Sequence, residues 1–241
     1  MPRLLQRILE EPRPCSYLPG QRASLDHLIL ADVSAEDYEV LLVRGWRRFG
    51  HVYFRPQCGA CAECVPLRIP VDRFVPSPSQ QRALRRGGRF QVSLERPRVD
   101  AEHLALYRAW HHGREAARGW ESSELSEDTY FREFAVPHPS GWELAVRDGE
   151  RLVAVGLCDL TPHAWSAVYF YYHPEIARLS PGVFQIALSV ELARQRGLDH
   201  VYLGFRVLGC PSLRYKAAFK PHELLVGRPR LDEAPRWVAG P

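Results

Sequence analysis

Residues 164–205 read AWSAVYFYYHPEIARLSPGVFQIALSVELARQRGLDHVYLGF. AWSAVYFYY is dense in aromatic and β-branched residues and predicts a strand that stops at His173-Pro174. The stretch from Ser180 to Gly197 predicts a helix, with Pro181 near its start and Gly197 at its end. HVYLGF predicts a second strand. Strand, helix and strand in this order place two parallel neighbours side by side with a splay between them, a common position for ligands.

Outward from this unit the pattern stays regular. The segment 100–119 carries Leu104, Tyr107 and Trp110 on one side of an amphipathic helix, and 126–136 predicts a shorter one. WELAVRD and RLVAVGLCDLT form a hairpin about Asp148-Gly149. CPSLRYKAAF predicts a last helix, and the tail from Gly227 reads as loosely ordered, with Trp237 able to dock. Helix, helix, three antiparallel strands, long helix, strand, helix is the order of the GNAT acetyltransferase fold. The expected class is therefore α/β (α+β), with residues 97–241 as a GNAT-like C-terminal domain around a mixed sheet. Residues 1–96 are expected to form a small Cys-containing domain. It holds a helix capped by Ser34, one strand over WRRFGHVYFRP, another over VPLRIPV, and a helix from Ser77 and Pro78 to Gly87.

The 241 residues are enough to bury a core, and no run approaches the roughly 18 apolar residues of a membrane span. The N-terminus lacks the apolar stretch of a secretory signal, so a cytoplasmic protein with reduced thiols is expected. The net charge of +4 is modest. Its distribution is not: Arg82, Arg85, Arg86 and Arg89 would share a helix face, either as a solvated stripe or as a phosphate-binding one. Of 32 basic residues only Lys216 and Lys220 are lysines, both in RYKAAFKP. The two cation types are not interchangeable where geometry matters, so these lysines are candidates for a compact ammonium.

Cys58, Cys61 and Cys64 stand three apart in YFRPQCGACAECVP. That spacing suits an iron–sulfur loop or a zinc site, and both want a fourth ligand. Cys15, in a proline-flanked loop, is the best candidate, with His51 weaker. Cys158 reads as a core residue, and Cys210 precedes a helix. Tyr169 and Tyr171 share one face of their strand, Phe170 and Tyr172 the other. With Tyr202 and Tyr215 they would line an aromatic, polar-tipped cleft, or simply pack a core. The link EIARLSPG holds Arg178, Ser180 and Gly182, near a helix N-terminus suited to an anion. It fits poorly to the R/Q-x-x-G-x-G/A loop that wraps coenzyme A.

PCSYLP, RRFGHVYFRPQCGACAECVPLRIPV, SPSQQRALRR, SAVYFYYHP and GLDHVYLGFRVLGCPSLRYKAAFKPHELL together resemble the arginyl-tRNA–protein transferase family, and most closely its bacterial aspartate/glutamate leucyltransferase branch. The resemblance spans nearly the whole chain. It implies transfer of an amino acid, leucine rather than arginine, from aminoacyl-tRNA to the α-amine of proteins that begin with Asp or Glu, in an N-degron protein degradation route. It assigns Cys15, Cys58, Cys61 and Cys64 to an iron–sulfur cluster or zinc. Tyr169, Tyr171, Tyr202, Tyr215 and Lys216 would line the catalytic site. Arg178, Ser180, Arg206 and Lys220 would bind substrate, and Arg82, Arg85, Arg86 and Arg89 would hold tRNA. The chain departs from the family at His173, at Ser180-Pro181-Gly182, at Arg206 and at Ser212-Leu213. Competing expectations are an acyl-CoA N-acyltransferase and a non-catalytic metal-sensing or degron-binding module.

Overall fold

The computed structural model describes residues 2–118 and 126–241. The first half contributes strands β1 (Arg3–Leu9), β2 (Arg13–Pro14), β3 (Arg22–Ala23), β4 (Leu25–Ala31), β5 (Arg47–Phe49), β6 (Val52–Pro56), β7 (Val65–Pro70) and β8 (Gln91–Glu95), with helices α1 (Ala35–Leu42) and α2 (Pro78–Gly87). The second half contributes helices α3 (Ala101–Arg118), α4 (Glu127–Tyr130), α5 (Pro181–Gln195) and α6 (Pro211–Arg214). Its strands are β9 (Gly141–Asp148), β10 (Arg151–Leu160), β11 (Ala164–Tyr172), β12 (His200–Arg206), β13 (Glu223–Leu225) and β14 (Trp237–Ala239).

Eight strands form one sheet in the order β14-β13-β7-β12-β11-β10-β9-β8, and four more form a smaller sheet, β1-β4-β6-β5. Helices α2 and α5 cover one face of the large sheet. Their side chains join Leu67, Ile69, Trp165, Val201 and Leu203 in the main core. The other face meets α3 and α4 through an aromatic cluster of Tyr107, Tyr130, Phe134 and Tyr171. Beside that cluster, α1 and the small sheet pack against Ala164 and Tyr202. The large sheet takes β7 and β8 from the first half, so it crosses the expected division at 96/97.

Local chemistry explains most elements. Ser34 and Ser77 cap α1 and α2, each in a reciprocal bond with the residue three further on, Asp37 and Gln80. The expected end of α3 at Gly119 lies outside the described residues. The strand expected over 46–56 is instead two, because Gly50 turns the chain with φ +53°. A side chain there would meet the Arg132 carbonyl oxygen at 2.1 Å, so only glycine lets β5 and β6 approach the helical turn at 131–135. The last expected helix shrinks to α6, followed by a 3₁₀ turn, Tyr215–Ala218. No strand is expected from the sequence at β1 or β4, although β4 alternates between buried and half-buried residues.

The tail is not loose. β14 pairs with β13, and Trp237 donates its indole N–H to the Val43 carbonyl at 3.1 Å. Its ring meets Tyr202 edge-on at 5.5 Å, and the Arg68 guanidinium sits 4.4 Å above it. Trp237→Ala is expected to remove about 2 kcal/mol of stability, less than a fully buried tryptophan would. A urea unfolding curve with an unchanged midpoint would contradict this.

Candidate active site

β11 and β12 run parallel and pair only through Ala164, Trp165 and Ser166 against His200, Val201 and Tyr202; beyond this they separate. Both strands are irregular at the separation. β11 has one extra residue at Val168 opposite β10, and β12 has one extra residue between Tyr202 and Phe205 opposite β7. Gly204 lies in the second bulge with φ +74°. The bulges turn backbone carbonyls out of the ladder, and these must find other donors.

Two cations answer that need. Arg47, from β5 of the small sheet, donates through Nη2 to the Ala167 carbonyl on β11. Lys216, from the 3₁₀ turn after α6, donates through Nζ to the Leu203 carbonyl on β12 at 2.7 Å. The two side chains converge. Arg47 Cζ and Lys216 Nζ each lie 3.8 Å from the point where a side chain would begin at Gly204. Arg47 is 7% exposed, and its Nη1 has no hydrogen-bond partner among the described residues. Burial, and then the Arg47 charge, lower the pKa of Lys216 to about 7. Lys216 as a whole is half-buried, and the pKa shift marks its ammonium as desolvated.

Arg47 is held in place by its neighbour. Arg48 makes a buried ion pair with Asp159 of β10 and also donates to the Gly50 carbonyl. This pair fastens the small sheet to the large one and so aims β5 at the separation. Asp159 Oδ2 has no partner among the described residues.

The expected tyrosines divide. Tyr215 is 38% exposed, and its hydroxyl lies 3.6 Å from the point where a side chain would begin at Gly182, in the first turn of α5. Tyr169 is half-buried, shares a hydrogen bond of 3.0 Å with His111 Nε2, and stacks on Phe134. Tyr171 does not line the cleft: it is fully buried in the aromatic cluster, and its hydroxyl bonds Tyr130 at 2.5 Å. Burial pushes its pKa far up, which keeps it a neutral structural group. Tyr202 is also buried, facing α1, and accepts from Arg68 at 3.0 Å.

The remaining candidates lie in other places. Arg206, at the end of β12, keeps a buried Nε with no partner among the described residues. Lys220 is exposed. Arg178 lines a separate cleft with Arg89, Asp148, Arg151 and Glu175. Ser180 is an exposed residue at φ +60° whose side chain does not cap α5. Arg82, Arg85 and Arg86 are exposed on α2 and meet no carboxylate among the described residues. Arg89 is not on their face: α2 ends at Gly87, and Arg89 pairs with Asp148.

The cysteine loop packs near the far end of β12. Cys64 touches the cluster of Phe205, Val207 and Cys210. Burial raises the Cys64 thiol to about 12, helped by the nearby Cys58, Cys15 and Cys61. Arg228 donates to the Cys58 and Cys61 carbonyls at 3.3 and 2.9 Å, shaping the loop. All six cysteines are free thiols. Four thiolates on one point would be the donor set of zinc or an iron–sulfur centre. Among the described residues, however, no three His, Cys, Asp or Glu side chains already stand as a ligand group.

Sequence reasoning missed Arg47. The available signal was Gly204 inside a predicted strand, which marks a bulge or a close approach. Nothing in the sequence connects Arg47 to Ala167, 120 positions away.

Two family models match the chain: "Arginine-tRNA-protein transferase, N terminus" over residues 13–82 and "Arginine-tRNA-protein transferase, C terminus" over 102–226. A protein named aspartate/glutamate leucyltransferase from Campylobacter jejuni is 34% identical over 220 residues, covering 91% of this chain and 92% of its own. The Pseudomonas putida protein of that name is 36% identical over 231 residues, covering 95% and 94%. The Helicobacter hepaticus protein of that name is 30% identical over 234 residues, covering 97% of each. Among solved structures, FemX superposes with a TM-score of 0.44 at 10% identity, covering 74% of this chain and 62% of its own. The C-terminal domain of a putative lysylphosphatidylglycerol synthetase from Agrobacterium fabrum reaches 0.46 at 12% identity, covering 60% and 47%.

Proposed function

The chain belongs to the arginine-tRNA-protein transferase family, and from that premise we propose that it transfers leucine from leucyl-tRNA to the α-amine of polypeptides beginning with aspartate or glutamate. The observation that carries this reading is the similarity to aspartate/glutamate leucyltransferases along nine-tenths or more of both chains.

The chemistry is aminolysis of an activated ester. The α-amine nitrogen bonds to the leucyl carbonyl carbon, the ester C–O bond breaks, and the amine proton goes to the departing ribose oxygen. No covalent nucleophile is required. The site must hold the amine and the carbonyl in line and offer donors to the developing oxyanion. The separation between β11 and β12 supports this role, because it joins two cations and two backbone carbonyls in one partly dry place. Tyr215, beside the first turn of α5, is the exposed hydroxyl suited to the leaving ribose. The test is transfer of labelled leucine from leucyl-tRNA to a peptide with N-terminal Asp. Absence of product, with arginyl-tRNA also inactive, would reject the reading.

The exposed arginines of α2 support tRNA binding. Replacing Arg82, Arg85 and Arg86 by alanine is expected to raise the KM for leucyl-tRNA about tenfold at moderate salt. It should also reduce the slope of log KM against log salt by roughly 2, since each phosphate contact contributes about 0.7–0.9. An unchanged slope would show that these residues are only a solvated face.

Cys15, Cys58, Cys61 and Cys64 would hold zinc or an iron–sulfur cluster after their side chains close on one point. Such a group would brace the N-terminal loop against the end of β12, and no step of the transfer passes through it. Anaerobic purification followed by metal analysis is expected to give bound metal that falls sharply in Cys61→Ala. Equal metal in both proteins would contradict the assignment. Among the described residues no helix is long and apolar enough to cross a membrane. Use of charged tRNA and acidic N-termini agrees with a cytoplasmic place in N-degron protein turnover.

A further inference from the structure

Arg47 and Lys216 pose an electrostatic problem. Two like charges converge over Gly204 in an enclosed space, and each raises the energy of the other. Among the described residues, the carboxylate that acts on Arg47 is Asp159, and it is held by Arg48. No ion pair to Arg47 or Lys216 forms among the described residues, and Arg47 Nη1 is buried with nothing to donate to. A protein that buries cations in this way gains most when an anion arrives.

The surroundings select the anion. Beside the two cations are the Ala167 and Leu203 carbonyls, which accept from Arg47 and Lys216; a carbonyl oxygen has two lone pairs and can accept a second N–H. The separation therefore offers donors for an anion and acceptors for an N–H group within a few ångströms. A phosphate diester has no donor for the carbonyls. An N-terminal aspartate or glutamate has both parts, an α-amine and a side-chain carboxylate whose carbon is three or four bonds from the amine nitrogen.

We infer that Arg47 and Lys216 grip the side-chain carboxylate of the acceptor's first residue and are the specificity residues that separate Asp and Glu from Asn and Gln. The inference rests on the leucyl-transfer reading. It assigns the selection to a residue of the small sheet, outside the strand–helix–strand unit.

The test uses the full chain, leucyl-tRNA and four peptides that differ only in the first residue: Asp, Asn, Glu or Gln. Arg47→Gln is expected to lower kcat/KM for the Asp peptide about a hundredfold, mainly through KM. The Asn peptide should change by less than about threefold, so the preference collapses. Lys216→Met narrows the same ratio. Parallel losses on Asp and Asn peptides would overturn the inference. A raised KM for leucyl-tRNA with the acceptor preference intact would also overturn it, since the cations would then serve tRNA phosphate. If Arg47→Gln does not fold, as judged by circular dichroism, the Lys216→Met ratio decides. If the wild-type protein transfers nothing, the functional reading fails. Calorimetry with Asp- and Asn-initiated dipeptides then judges the pair alone: tighter Asp binding supports it, and equal binding refutes it.

Discussion

Lys216→Met is expected to cut leucine transfer to an Asp-initiated peptide about a hundredfold while making the protein more resistant to heat. A charged hydrogen-bond donor in an enclosed site contributes roughly 1.5–3 kcal/mol, or about one to two powers of ten in rate. The stability change has the opposite sign. The folded protein holds the lysine pKa near 7, whereas the unfolded chain has it at about 10.4. Between these values the unfolded state binds more protons, so stability rises with pH across that window. Below pH 7 the penalty for burying the ammonium is complete. Methionine removes the penalty, so its stabilising effect should be largest at pH 6, smaller at pH 9, and absent above about pH 10.4. The loss of a donor to the Leu203 carbonyl offsets part of it. Rate should follow a related logic. The acceptor amine must be neutral, which favours pH above about 8, and Lys216 must be charged, which favours pH below about 7. The wild-type kcat/KM should therefore pass through a narrow maximum, and the variant should rise to a plateau. A variant that keeps the alkaline decline would exclude Lys216 as its origin. A midpoint of thermal unfolding no higher than wild type at pH 6 would exclude the buried-charge argument.

The second large effect falls on stability. Asp159→Ala leaves Arg48 as an uncompensated buried cation, which costs about 3–5 kcal/mol. In a chain of this size the thermal midpoint should drop by roughly 10 °C. The double variant Arg48→Met/Asp159→Leu should recover most of the loss, because it removes both charges and restores apolar volume. It should not recover full transfer, since the fastening that aims Arg47 would be gone. Equal destabilisation in the single and double variants would show that volume, not charge, sets the effect.

The second half of the chain was legible because its signals are local. The Asp148-Gly149 turn, the aromatic run in β11 and the proline-to-glycine limits of α5 are each written within a few residues, and the parallel pair β11 and β12 follows from them. The small sheet was hidden for the opposite reason. β1 is exposed along its whole length and carries no clean alternation, and Gly50 divides what reads as one strand. The tail looked polar and proline-rich, yet Trp237 fixes it through partners almost two hundred residues away. The candidate site shows the same division. Lys216 stood out as one of two lysines, whereas Arg47 is one arginine among thirty. Tyr171 looked like a cleft residue because strand alternation gives its face but not what covers it. Here the cover is α3 and α4.

The position of β7 has a consequence for how the protein comes into being. It lies between β12 and β13, and Arg194 reaches back to bind the Val71 and Phe74 carbonyls, the former 123 residues earlier. A ribosome therefore releases β7 long before either flanking strand exists. Both of its edges stay open through most of translation, the condition under which nascent chains invite chaperones or wrong partners. Pairing over such separations is also intrinsically slow. A truncated product ending before β12 would lack the separation and one of its two cations, and would leave β7 without either neighbour. With the candidate site incomplete, such a fragment is expected to be inert in leucine transfer, so premature termination should yield an inactive polypeptide rather than an unregulated enzyme.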